Sequence, residues 1–267
     1  MGILNVTPDS FSDGGLHFDR STAVDRGLRM VDEGADIIDI GGESTRPGSD
    51  AVPIEEELRR TIPVIENLSK RVPVPISIDT CKAEVARKAL DAGASMVNDI
   101  SGLRFDAEMP GVVALYKVPV VIMHIRGTPK SMQTNPEYEA LIPEIMDYLR
   151  TSIRLARNFG IRDELIIIDP GVGFGKTFDH NLEIINNLEQ FMPLEKPVLI
   201  GPSRKAFIGK ILGGAPAHER LEGTAAAVAI AVMKGAGIIR AHDVKEMVKV
   251  IQVADAIKRE RVGQPYL

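Results

Sequence analysis

The chain has 267 residues, a formal net charge of -5 and a hydrophobic fraction of 44%. That length suits one large domain or two small ones, and an eight-stranded α/β barrel takes about 250 residues. The acidic balance, without any dense Lys/Arg stretch, gives no electrostatic case for nucleic acid, so an anionic ligand must be met by local basic residues.

Short continuous apolar runs predict strands at Ile3-Leu4, Ile37-Ile40, Ile76-Ile78, Met96-Val97, Val120-Met123, Leu165-Ile168, Val198-Ile200 and Ile238-Ile239. Runs of this kind suit parallel strands covered on both faces. The segments between them read as helices. Ala23-Gly34 carries apolar residues at helical spacing and a terminal glycine, and Glu84-Gly93 repeats the design. Eight strands alternating with helices predict a (β/α)8 TIM barrel, with residues 1–267 as a single domain. The alternative is an open, doubly wound sheet. It would gather polar groups at one switch point, whereas here they finish most of the runs. Two connections, Thr7-Phe18 and Gly41-Pro53, are long and rich in Gly, Pro and Ser. They are expected to be mobile and to close over a site. Leu221-Met233 is apolar nearly all round, where a barrel helix usually keeps one wet face; that predicts a homodimer.

The polar groups at the strand ends suggest chemistry. Asp169, after Leu165-Ile168, could accept two parallel hydrogen bonds from an amidine-like edge such as a 2-amino-pyrimidinone. Asn98 offers a donor and an acceptor to the same ring, and Lys205 a donor. Arg240 could stack on the ring and still reach an anion. Each also has a structural reading taken singly: a helix cap, a turn, a solvated cation. Their convergence at one barrel mouth is what favours function. Gly201-Lys205 precedes a predicted helix, Ala206-Leu212, whose first amides could bind an anion, with His242 and Arg46 adding charge from neighbouring loops. Asn5 ends the first run and could hold Mg²⁺ carried by a phosphate substrate, or could simply form a turn. Asp79 could stabilise a forming carbocation, act as a base or bind the ring.

Other chemistries are excluded. Gly171-Thr177 imitates a phosphate-binding Walker loop, but that pattern needs glycine where Pro170 stands. Its glycines more simply let backbone and Phe174 lie close to a flat ligand. The histidines are scattered and Cys81 is the only cysteine, so neither a zinc site nor an internal disulfide follows. Ser203 lies in no Gly-x-Ser-x-Gly elbow. No basic start, signal peptide or membrane-length apolar run is present, so a cytoplasmic location is expected, without membrane or nucleic-acid partners.

The segment Gly2-Ile3-Leu4-Asn5-Val6-Thr7-Pro8-Asp9-Ser10-Phe11-Ser12-Asp13-Gly14-Gly15 resembles the opening signature of the dihydropteroate synthase family. Gly41-Gly42-Glu43-Ser44-Thr45-Arg46-Pro47-Gly48 resembles its second signature. Further matches are Ile78-Asp79-Thr80, Val97-Asn98-Asp99-Ile100, Met123-His124, Asp169-Pro170-Gly171, Ser203-Arg204-Lys205 and Arg240-Ala241-His242-Asp243-Val244. The resemblance runs in order over nearly the whole chain. It implies a barrel that condenses 6-hydroxymethyl-7,8-dihydropterin diphosphate with 4-aminobenzoate, releasing pyrophosphate in folate synthesis, and that sulfonamides inhibit as mimics of the aminobenzoate.

By the same resemblance, Asp79, Asn98, Asp169 and Lys205 hold the pterin, with Met123 and Arg240 packed against it. Asn5, Arg46 and His242 serve the diphosphate, with Asn5 linked to Mg²⁺. Thr45, Pro47, Phe174 and Ser203 fall near the diphosphate or the aminobenzoate. Two departures stand out. The short segment that family chains carry before the opening signature is missing, which bears on stability more than chemistry. Cys81 replaces another residue, with a small loop effect expected. The rival readings are a methyltetrahydrofolate methyltransferase of the same superfamily, which has no use for diphosphate ligands, and a non-catalytic pterin-binding paralogue.

Overall fold

A computed structural model describes residues 1–7 and 20–262. Of the first long connection, Thr7-Phe18, all but Thr7 lies outside the described residues.

Eight strands alternate with helices in chain order. The first half runs β1 (Gly2–Asn5), α1 (Arg20–Asp32), β2 (Ile38–Gly41), α2 (Ile54–Leu68), β3 (Ile76–Asp79), α3 (Ala83–Asp91), β4 (Met96–Asp99) and α4 (Met109–Tyr116). The second runs β5 (Val120–Met123), α5 (Leu141–Asn158), β6 (Ile166–Asp169), α6 (Phe178–Asn186), β7 (Leu199–Ile200), α7 (Ala206–Ile211), α8 (Leu221–Met233), β8 (Ile238–Ile239) and α9 (Val244–Lys258). Strands β1 to β6 pair in sequence, all parallel, and β7 pairs with β8. Two parallel bridges, Ile168 to Val198 and Gly2 to Ala241, join the two groups. The amide of Ile3 donates to Ala241 O and that of Ala241 to Met1 O, both at 3.0 Å. The ring therefore closes as the TIM barrel expected, and the open sheet is excluded.

The strands form because each run serves two apolar faces. Ile38, Ile40, Ile76, Ile78, Val97, Val120, Ile122, Ile166, Ile168, Val198 and Ile200 point outward into the main core beneath the helices. Alternate residues point inward, since side chains on a strand switch sides at every step. Met96, Val121 and Leu199, with Met1, Ile37, Ile167 and Ile238 against them, fill the barrel floor as a separate cluster. Two residues further along each strand the inward positions become Asp39, Asp79, Asn98, Met123, Asp169 and Arg240. The polar mouth is thus the inner face of the barrel one layer above its apolar floor.

Strand ends differ by a residue or two from the sequence reading. Asp79, Asn98 and Asp169 lie inside the hydrogen-bonded strands rather than after them, and Leu165 belongs to a 3₁₀ turn, Asp163–Leu165. Gly34 and Gly93 follow α1 and α3 at φ +98 and +112, the left-handed conformation that ends a helix cheaply only at glycine. Helix α7 stops at Ile211. Leu199, fully buried in the floor, has no polar partner to rearrange, so Leu199→Ala should cost about 2–5 kcal/mol. Urea unfolding that shows no loss of stability would mean the floor is not tightly packed.

Candidate active site

The strand register builds the rim. Asn5 stands opposite Gly41, Gly41 opposite Asp79, and Asp79 opposite Asn98. Met123 stands opposite Asp169. Residues separated by up to 164 positions therefore meet at one end of the barrel because the strands are parallel and in register.

At the centre, Arg240 lies between two carboxylates. Its Nε donates to Asp39 Oδ2 at 2.6 Å and its Nη2 to Asp79 Oδ2 at 2.7 Å. Asn98 Nδ2 donates to the same Asp39 oxygen at 3.0 Å. Arg240 is expected to stack on a ring and reach an anion; its Nε and Nη2 are held by Asp39 and Asp79, an edge-on arrangement compatible with stacking through a face. Asp39 was missed. It sits within a predicted apolar run, and a charged residue there, on the same face as Gly41, was the available signal. Asp39 Oδ1 and Asp79 Oδ1 are buried and have no hydrogen-bond partner among the described residues. Buried acceptors of this kind call for donors from a ligand. Burial, opposed by Arg240 and reinforced by Asp39, raises the Asp79 carboxyl to about 7.

Asp169 accepts from its own loop, Gly171 N, at 2.7 Å through Oδ1. Burial outweighs that bond and the nearby Lys205 and Lys176, and raises its pKa to about 6. Lys205 Nζ lies 4.2 Å from the centre of the Phe174 ring. Burial and Arg240 lower it to about 8, while Asp169 and Asp79 pull the other way. Asp169 and Lys205 thus share one end of the molecule. Met123 and Phe174 pack together with Ile100, Ile125 and Met132, and with Cys81 against them, as an apolar wall beside the mouth.

The Gly171-Thr177 loop is shaped by contact. A Cβ on Gly171, at φ +74, would lie 1.9 Å from His124 O, and one on Gly175 would meet Arg126 O at 2.7 Å. Lys176 does not reach outward as a phosphate-binding lysine would. It is 2% exposed and donates to Phe174 O at 2.9 Å, with His124 Nδ1 at 2.8 Å. The Walker reading is excluded by structure as well as by sequence.

Two anion-site expectations need correction. Ser203 Oγ accepts from the His242 amide at 3.1 Å and lies 3.0 Å from His242 Nδ1, so it orients that ring. Burial, with Arg240 and Arg204, depresses His242 to about 3. It is neutral near pH 7 and offers a hydrogen bond, not the positive charge expected. The amides of Arg204 and Lys205 are already bonded, to Thr224 Oγ1 at 3.1 Å and Pro202 O at 3.2 Å. The loop ahead of α7 therefore contributes fewer free donors, and any anion contact there falls to the amides of Ala206 and Phe207.

On the loop between β2 and α2, Arg46 and Pro47 are exposed and Thr45 is half-buried. The Arg46 side chain has no ion-pair partner among the described residues. Asn5 is half-exposed at the end of β1. Among the described residues no group of three or more His, Cys, Asp or Glu side chains could hold a metal ion.

A closed parallel barrel with a ring of buried carboxylates, amide and cations at the C-terminal mouth has the layout of a TIM-barrel enzyme that reads a planar polar ligand. Residues 1–242 match the family described as pterin binding enzyme, and the chain belongs to that family. It is 51% identical to the dihydropteroate synthase of Synechocystis sp. over 97% of this chain and 90% of the relative. A Yersinia pestis dihydropteroate synthase with a sulfonamide drug superposes with TM-score 0.92 at 43% identity, over 97% of this chain and 93% of the other. A Xanthomonas albilineans dihydropteroate synthase with 4-aminobenzoic acid gives 0.90 at 46% identity, over 96% and 92%.

The Asp169 carboxylate accepts hydrogen bonds from a ligand edge only when ionised; protonation turns one oxygen into a donor facing donors. The part of dihydropterin affinity that Asp169 carries, read as the difference between wild type and Asp169→Asn, should therefore fall up to about tenfold per unit below about pH 6, the unliganded value, while Asp79 near 7 and Lys205 near 8 titrate in both proteins. Calorimetry of both proteins from pH 7.5 to 5 checks it. A constant difference across that range would remove Asp169 from the ring reader.

Proposed function

We infer that the chain catalyses the dihydropteroate synthase reaction: 6-hydroxymethyl-7,8-dihydropterin diphosphate and 4-aminobenzoate give 7,8-dihydropteroate and pyrophosphate. The single observation that carries this reading is the buried rim of Asp39, Asp79, Asn98, Asp169, Lys205 and Arg240, set beside the Thr45-Arg46-Pro47 loop. One part suits a fused ring rich in N–H and C=O groups. The other offers an unpaired guanidinium to the charged tail. The resemblance to sulfonamide- and aminobenzoate-bound relatives supports the second substrate. A methyltransferase of the same superfamily has no need of Arg46, His242 and Asn5 together.

The chemistry proposed is a loose substitution. The bond between the pterin methylene and the diphosphate oxygen breaks, and its electron pair leaves with pyrophosphate. The aromatic amine then supplies its lone pair to form the C–N bond and loses a proton to solvent or to the departing anion. Arg46 and Arg240 balance charge on the tail, and His242, held by Ser203, donates a hydrogen bond to it. Asp79, whose free oxygen faces the mouth, stabilises positive charge at the methylene. No strongly activated nucleophile is needed, and the Ser203–His242 pair serves to orient the imidazole. Pterin diphosphate binds first in this scheme, because it completes the surface that the amine meets.

Asn5 offers one neutral oxygen, which fits Mg²⁺ only when the diphosphate and water supply the remaining ligands. Magnesium bound there would neutralise the leaving group. The lone, unpaired Cys81 supports a reducing, cytoplasmic setting. Among the described residues no helix is long and apolar enough to cross a membrane.

The homodimer reading gains a surface. Ile230 and Met233 on α8, with Val253 and Ile257 on α9, are 46–62% exposed around one apolar groove. A second copy related by a two-fold axis would cover it on both sides at once.

Pyrophosphate should appear only when the pterin diphosphate and 4-aminobenzoate are both present; its absence, with pterin binding intact by calorimetry, would leave the non-catalytic paralogue. Sedimentation at micromolar concentration should give a dimer that Val253→Glu converts to a folded monomer. A wild-type monomer would overturn the reading of that face.

A further inference from the structure

The connection between β2 and α2, residues 41–53, carries Thr45, Arg46 and Pro47, and its tip rests on the connection after β5. There Gly48 N donates to Pro129 O at 3.0 Å, and Lys130 pairs with Asp50 at 2.7 Å. The Asp50–Lys130 pair is 73–82% exposed and therefore weak in water. The root is built differently. Lys82, the residue before α3, extends its ammonium to the Glu43 carboxylate, to Glu57 Oε2 at 2.5 Å and to Val52 O at 2.7 Å. Glu43 lies at one end of the loop and Val52 at the other, and Val52 N donates to the same Glu43 oxygen at 2.9 Å. Glu57, on α2, is 1% exposed. One ammonium thus ties both ends of the loop to the helix that follows it.

This is not an ordinary surface ion pair. Burial raises the Glu57 carboxyl, with the Lys82 bond opposing it. Burial alone would lower Lys82, yet the two carboxylates raise it above its usual value. Charges withdrawn this far from water persist only when well paired, and charge-assisted bonds of this kind fix geometry as well as charge. The same small cavity is lined by Glu43, Thr45, Glu57, Asp79, Thr80 and Lys82. The knot therefore borders the same cavity as one residue of the loop's working segment and one of the proposed catalytic rim. Asn98, Asp169 and Lys205 make no hydrogen bond to it.

We propose that Lys82 is a positioning residue for the second substrate. It clamps the two ends of the 41–53 loop through Glu43 and the Val52 carbonyl, so that Thr45, Arg46 and Pro47 meet the incoming amine at a fixed place. This rests on the dihydropteroate synthase reading above. Misplacement of a substrate-positioning loop by about 1 Å can cost up to about a hundredfold in rate, so a clamp is worth the buried charge it needs.

Kinetics of the full chain distinguish this role from a structural one. Lys82→Met should raise the KM for 4-aminobenzoate about tenfold or more and, because Arg46 rides on the same loop, also weaken the pterin diphosphate, while affinity for a dihydropterin without the diphosphate stays within about twofold. Lys82→Arg, which keeps the charge and can fork between the two carboxylates, should recover most of the loss. An unchanged KM for aminobenzoate, or an equal loss of affinity for the diphosphate-free dihydropterin, would falsify the assignment. If Lys82→Met does not fold, Glu43→Gln should give a smaller shift in the same direction, and its absence counts equally against the role. The wild-type assay is read first. If it gives no product, the functional reading falls, and calorimetry of 4-aminobenzoate on the same variants still tests the clamp.

Discussion

One guanidinium shared by two buried carboxylates sets the terms for the rest of the mouth. Arg240 comes from the end of β8, Asp39 from β2 and Asp79 from β3, so the cluster forms only when the last strand closes against the first. Buried charges are costly unless paired and hydrogen-bonded. Here the pairing is incomplete by design: two carboxylates face one cation, each retains a buried oxygen without a donor, and Asn98 covers only one lone pair of Asp39. An apolar floor directly below excludes water from that side. The barrel therefore holds an excess of buried acceptors at its mouth, which under the proposed function a donor-rich ring would relieve.

This arrangement also divides the site by rigidity. The ring reader stands on strands whose registers are fixed by parallel pairing on both sides, so Asp79, Asn98 and Asp169 have little freedom to adjust. The groups proposed for the tail and the amine stand on connections. Arg46 and Pro47 sit on an exposed loop, where a side chain can adapt to two different partners during one turnover. Ser203 and His242 lie between these extremes: a hydroxyl on the loop after β7 holds an imidazole on the loop after β8, and neither hydrogen bond depends on charge.

The fold was legible because a buried parallel strand leaves an apolar run, and eight such runs separated by amphipathic segments admit few architectures. The site was legible where a polar residue ended a run, as at Asp79, Asn98 and Asp169. It was less legible where the signal lay within a run. Asp39 was overlooked for that reason, although its two-residue spacing from Ile37 places it on the inner face. Lys82 and Lys176 illustrate a different limit. Nothing in their local sequence distinguishes a buried lysine from a solvated one, because burial is decided by chain segments brought against them from elsewhere: Glu43 and Val52 in one case, His124 in the other. The state of His242 is similarly non-local, since its depressed pKa comes from burial and from Arg240 and Arg204.

The glycine-rich loop after β6 shows how one sequence pattern can serve two physical ends. A phosphate-binding loop spaces its glycines to turn amides toward an anion. Here Gly171 and Gly175 are required because carbonyls of the β5 connection pass where a Cβ would sit, and Gly173 because its backbone turns at φ +84. Close approach draws Lys176 inward, where two carbonyls and an imidazole surround its ammonium. That lysine braces the underside of the loop while Lys205 lies against Phe174 on the side of the mouth. Two lysines then flank Asp169 without either forming a salt bridge to it, Lys176 with its pKa held well below the usual value by burial, which leaves the Asp169 carboxylate directed by the Gly171 amide.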